Sequence, residues 1–141
     1  MAWTLHGVSM TPLLAPTVVT LVLGAGLVGC GSDQPAVCGS VDTLETSVDD
    51  LKNVDVTANG LTALQSQLTT IKEDLADVKD DATSEFSAQL EAVETSYAAL
   101  KSSADAAKAD TSATSLATVA SALSALGADV KTLVDDVQST C

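Results

Sequence analysis

The sequence predicts an all-α protein whose folded part is an up-down four-helix bundle. Two observations carry that prediction. Apolar residues recur every three or four positions from Val41 to Val137, the spacing of one helix face. No stretch alternates apolar and polar residues for long enough to make a strand.

Each element follows from this periodicity. Val41, Leu44, Val48 and Leu51 define a first helix over about residues 40–53. The segment Asn53-Val54-Asp55-Val56-Thr57-Ala58-Asn59-Gly60 breaks it with β-branched residues, an Asn-Gly pair and capping side chains. Leu61, Leu64, Leu68, Ile71, Leu75 and Val78 resume the spacing and predict a helix over 60–80. Phe86, Leu90, Val93, Tyr97, Leu100 and Ala104 continue it on a shifted phase and predict a helix over 84–108. Asp110-Thr111-Ser112 then offers an N-cap. Leu116, Val119, Leu123, Leu126, Val130, Leu133 and Val137 form the last stripe, over 112–139. The stripes are narrow, close to the two-in-seven pattern of coiled coils and bundles.

The stretch Asp80-Asp81-Ala82-Thr83-Ser84-Glu85 leaves two topologies open. It contains no Gly or Pro, so one continuous helix over 60–108, about 74 Å long at 1.5 Å per residue, also satisfies the pattern. In that alternative two shorter helices fold back along a long central one. A turn at the polar cluster gives the bundle instead. Core burial favours the bundle, because a rod two helices thick encloses little.

Composition narrows the function classes. The chain has 141 residues and a formal charge of −13, and all six lysines and nineteen acidic residues lie beyond residue 29. Such acidity argues against nucleic acid, whose affinity depends on neutralising phosphates with Lys and Arg. It also argues against lying flat on an anionic bilayer. From residue 30 onward there is no His, Trp, Arg or Met, and the aromatic residues are Phe86 and Tyr97.

The N-terminal part is of a different kind. Pro12 to Gly29 carries no charge, and Val18 to Val28 is almost wholly Val, Leu, Gly and Ala. That run is short for a membrane span, which needs roughly 20 apolar residues, and Gly24, Gly26 and Gly29 make it a poor helix. It ends in Leu27-Val28-Gly29-Cys30, followed at once by polar residues. This resembles the lipobox of bacterial lipoprotein signal peptides. The resemblance implies a signal peptide over 1–29, a diacylglyceryl group on the Cys30 thiol, cleavage before Cys30 and acylation of the new amino terminus. Two or three chains, each contributing about 0.8 kcal/mol per buried methylene, give lasting attachment. The segment before the apolar run has no Lys or Arg, a departure from the pattern that makes Met10 an alternative start.

Residues 30–37 then read as a polar tether, and 38–141 as the folded domain. From Cys30 to Cys38 the chain spans at most about 28 Å, which keeps a compact body close to the membrane and favours the bundle. With Cys30 lipidated, Cys38 and Cys141 are left as a disulfide pair in an exported chain. Over 38–141 the chain also resembles small Ala-, Val- and Asp-rich helical lipoproteins of high-GC Gram-positive bacteria. That likeness rests on the lipobox, the SVDDLKNVDV stretch (47–56) and the terminal cysteine, and it carries no assigned activity.

No residue pattern points to catalysis. Nucleophilic chemistry most often needs a His beside Ser, Cys or Thr. A Ser-Lys dyad has residues to draw on, but the serines fall on helix faces without a tight turn. Paired carboxylates for glycoside hydrolysis lack a Trp platform and a cleft. Zinc ligands are absent, and the acidic sets Asp77, Asp80, Asp81, Glu85 and Asp135-Asp136 lack the EF-hand spacing. These sets read as solvated faces or helix caps, and Lys72, Asp74, Asp77 and Lys79 as exposed helix charges. Phe86 and Tyr97, eleven residues apart, share a face that reads as core, with the Tyr97 hydroxyl able to reach water.

The expectation is therefore a non-enzymatic lipoprotein without cofactor or metal, on the extracytoplasmic face of the cell membrane. Its expected partners are the membrane, through the lipid, and an envelope protein. The alternative is a module holding a small ligand between its helices.

Overall fold

The computed structural model describes residues 34–57 and 60–141. Leu27, Val28, Gly29 and Cys30 lie outside the described residues. Four helices follow in chain order: α1 (Ala36–Lys52), α2 (Leu61–Asp81), α3 (Ser87–Ala109) and α4 (Ala113–Gln138), with a single 3₁₀ turn (Ser84–Phe86) leading into α3. Among the described residues there is no strand.

The helix α1 starts at Ala36, earlier than the periodicity alone suggests. Pro35 stands at its N-cap with φ −55° and ψ 142°, so the ring fixes the chain for helix entry where no amide donor is needed. Val37 joins Val41, Leu44, Val48 and Leu51 in the core. Ala36 and Val37 thus belong to the helix, not to the tether, and Cys38 lies in the first turn of α1, not ahead of it.

Two breaks set the topology. Lys52 is followed by a loop in which Val54 and Val56 pack partly against the core. The loop closes on Gly60, where an added Cβ would fall on the backbone carbonyl of Asp55. The second break settles the question left by residues 80–85. Ala82 (φ −76°, ψ 144°) and Thr83 (φ −80°, ψ 167°) are extended, so α2 ends and the chain turns. A continuous helix would have put its next apolar positions at 82 and 85, and Glu85 cannot fill one; Phe86 takes the core place one residue later. At the third connection Ser112 caps α4, its side chain accepting from the Ser115 amide at 3.2 Å.

The helices bury seven-residue repeats of Leu, Val, Ile and Ala. Leu44, Leu64, Ile71, Leu100, Leu126 and Leu133 are fully enclosed, and Phe86 is the buried aromatic. On the outside, Thr and Ser hydroxyls donate to carbonyls one turn back, as Thr46 does to Asp42 at 2.9 Å. By length and composition α4 is apolar enough to cross a membrane. In the bundle, its Val and Leu stripe supplies core against α1 and α3, while its outer face carries Ala, Ser and Thr.

Cys38 and Cys141 are joined as a disulfide, with Cα atoms 6.2 Å apart and a sequence separation of 103. It fastens the start of α1 to the residues that follow α4. In the chain-entropy description, closing such a ring contributes roughly 4–5 kcal/mol, comparable to the net stability of a small domain.

Candidate functional site

The four seams between neighbouring helices are not alike. α3 packs most extensively on α4, α1 on α2 next, then α1 on α4, and α2 touches α3 least. Two of the tighter seams are zipped by side-chain pairs that repeat every seven residues. Between α1 and α2, Ser40 meets Asp81 and Ser47 donates to Asp74 at 2.5 Å. Between α3 and α4, Gln89 donates to Asp136 at 2.7 Å and Ser96 meets Asp129. Each pair lies at the edge of the apolar stripe, where antiparallel helices in register bring the same positions together at every second turn.

These contacts revise the reading of several acidic residues. Asp74, Asp81 and Asp136 are acceptors between helices, not merely solvated charges. Asp135 pairs with Lys131 on its own helix at 3.1 Å. Lys79 reaches across to Glu94 of α3 and not along its own helix. Among the described residues no group of three or more His, Cys, Asp or Glu is placed to hold a metal ion.

The α2–α3 seam is built otherwise. Tyr97 stands on the α2 side of α3, between Leu90 and Ala104 in the seven-residue repeat, and its hydroxyl donates to the Leu68 carbonyl at 2.9 Å. Its half-buried ring thus ends on the α2 backbone and not in water. A side chain of this length keeps the helices from closing as α3 and α4 do over Ser96 and Ala107. Three shallow cavities result, strung along the seam. One of about 250 Å³ lies at the Ala82–Ser84 turn. One of about 330 Å³ lies between Leu75 and Tyr97, and one of about 260 Å³ between Leu68 and Lys101. Tyr97 borders the last two, and the Lys79–Glu94 pair borders the first two, so the three form one groove. Its lining runs along α2 from Gln65 to Ala82, about 26 Å at 1.5 Å per residue.

Charge is distributed unevenly around this groove. Of the six lysines, Lys72, Lys79 and Lys101 line it and Lys108 donates to Gln65 Oε1 at its rim, 3.0 Å away. Lys101 donates to Asp105 at 2.7 Å, and Asp105 also accepts from Gln65 at 3.3 Å. The hydrogen bond to Asp105 holds the Lys101 ammonium above its ordinary value and, in return, holds the Asp105 carboxyl below its own. Burial raises the Tyr97 phenol, while the nearby Lys101 charge opposes the shift. Among the described residues Lys72 makes no ion pair.

Sequence reasoning brought Cys38 and Cys141 together correctly and passed over the groove. Its signal was present: Lys72 and Lys79, and Lys101 and Lys108, are each seven residues apart, which puts each pair on one stripe of its helix.

Comparison of the chain with protein-family models, with curated proteins and with solved structures finds no match.

Proposed function

We propose that this protein is a cell-envelope lipoprotein, held to the extracytoplasmic face of the membrane by acyl chains on Cys30 and acting as a non-enzymatic structural or protein-interaction module. The observation that carries the reading is Leu27-Val28-Gly29-Cys30 at the end of an uncharged apolar run. The Cys38–Cys141 disulfide supports it, since such bonds persist in oxidising compartments outside the cytoplasm. The lack of His and Arg from residue 30 onward supports a binding or structural role over catalysis.

Six residue steps from Cys30 to Ala36 reach at most about 22 Å, so the disulfide end of the bundle stays near the headgroups.

Cys30→Ser is expected to move the protein from the membrane fraction to the soluble fraction and to abolish incorporation of labelled palmitate. Retention of the variant in membranes would assign the attachment to some other feature.

A further inference from the structure

We propose that the α2–α3 groove binds a long-chain fatty acid, with its carboxylate between Lys72 and Lys101 and its chain lying over Leu75 and Leu90 toward the Ala82–Ser84 turn. This inference rests on the bundle alone and stands or falls independently of the Cys30 anchor.

Register places the two cations. Gln65 faces Lys108 and Lys79 faces Glu94 across the seam. Lys72 lies seven residues from both Gln65 and Lys79, and Lys101 lies seven residues from both Lys108 and Glu94. Two helical turns inward from each known pair, the antiparallel helices therefore set Lys72 opposite Lys101. Lys72 has no carboxylate partner among the described residues, and Lys101 shares its charge with Asp105 alone. In a chain of charge −13, this is where two cations face each other over an apolar floor.

The same features select the ligand. Lys101 is already paired with Asp105, and Glu91, Glu94 and Asp105 match Lys72, Lys79 and Lys101 along the groove. That local charge suits a monoanion and disfavours a phosphate dianion. Below the cations the floor is Leu75, Tyr97 and Leu90, and the largest of the cavities lies between Lys72 and Lys79 against Leu75, Ala76 and Tyr97. From residue 72 to residue 82 the groove runs about 15 Å at 1.5 Å per residue, so it holds most of an extended palmitoyl chain and leaves the methyl end over the Ala82–Ser84 turn. Cavities of about 250–330 Å³ joined end to end fall within the ~300–1,000 Å³ of ordinary small-molecule sites. The exposed Lys79–Glu94 pair between them is of the kind that contributes at most about a factor of five to stability, so it can swing aside.

The test uses the full chain in lipid-free buffer, with Cys30→Ser run beside it, and a palmitate analogue carrying a photoactivatable diazirine at mid-chain, with adducts mapped by mass spectrometry. Adducts are expected on α2 and α3 between residues 65 and 94, and palmitate should compete at least tenfold better than hexadecanol. Lys72→Gln with Lys101→Gln should lower labelling at least tenfold, and the Arg pair at the same positions should retain it. Both positions are exposed, and unchanged helicity and thermal midpoint verify folding. Adducts spread over other helices, equal competition by the alcohol, or labelling indifferent to the Gln pair would each overturn the proposal.

Discussion

The α3–α4 seam and the α2–α3 seam share one helix, yet they are built from opposite materials. Toward α4, α3 offers Gln89, Val93, Ser96, Leu100 and Ala107, and the helices close over them with Ser96 and Gln89 hydrogen-bonded to Asp129 and Asp136. Toward α2 it offers Leu90, Glu94, Tyr97 and Lys101, and a chain of cavities remains. Side-chain size at the repeat positions decides how near two helices come, and short Ser–Asp pairs tolerate a closeness that Lys and Tyr do not. One bundle thus contains a seam made for cohesion and a seam left accessible.

The largest test of this contrast loosens both seams together. Reducing the Cys38–Cys141 disulfide, or replacing Cys38 with Ser, is expected to lower unfolding free energy by about 4–5 kcal/mol, as read from urea denaturation. A parallel loss of α2 and α3–α4 amide protection in hydrogen exchange would show that both hairpins depend on the ring.

Next come paired truncations on either side of α3. Leu100→Ala, at a fully enclosed position, is expected to cost about 3–4 kcal/mol, within the range of Leu→Ala in packed cores. Leu90→Ala, which borders the groove, is expected to cost about 2 kcal/mol, because solvent already reaches its neighbourhood. Equal losses at the two positions would erase the difference between the seams.

The smallest effect isolates Tyr97. Tyr97→Phe removes the bond to the Leu68 carbonyl and is expected to cost about 0.5–1.5 kcal/mol while leaving the apolar contact intact. The phenol is raised above its ordinary value, chiefly by burial. On raising the pH, the unfolded chain therefore loses this proton first, near pH 10. The contribution of Tyr97 is complete below that pH and is lost as the pH rises through the folded value. Absorbance at 295 nm, with Tyr97 the sole tyrosine, should show a midpoint above that of free tyrosine.

Much of the fold was legible because heptads are local. The stripe 61, 64, 68, 71, 75, 78 is buried throughout, and Ser112 caps α4 where Asp110-Thr111-Ser112 suggested. The periodicity alone places the start of α1 too late, since Pro35 as an entry signal and Val37 as a core residue extend the repeat one turn upstream. The 82–83 turn left two topologies open because it uses neither Gly nor Pro; its mark is the one-residue slip from Val78 to Phe86. The groove and the Ser–Asp zippers were not legible for another reason. Both depend on which residues of separate helices share a level, and that register is set by the connections: Ala82-Thr83 for the groove, the α1–α2 loop for the Ser40 and Ser47 pairs, and Asp110–Ser112 for the Gln89 and Ser96 pairs.

The ring closed between Cys38 and Cys141 also changes what a protease can do to this protein. The loop after Lys52, at residues 53–57, and the Asp110–Ser112 connection are the natural places for a nick. One cut in either leaves both pieces covalently joined through sulfur, and a fragment departs once a second peptide bond in the circle, or the disulfide, has been broken. Intact mass would then rise by a single water per nick, while the halves would separate on a gel under reducing conditions.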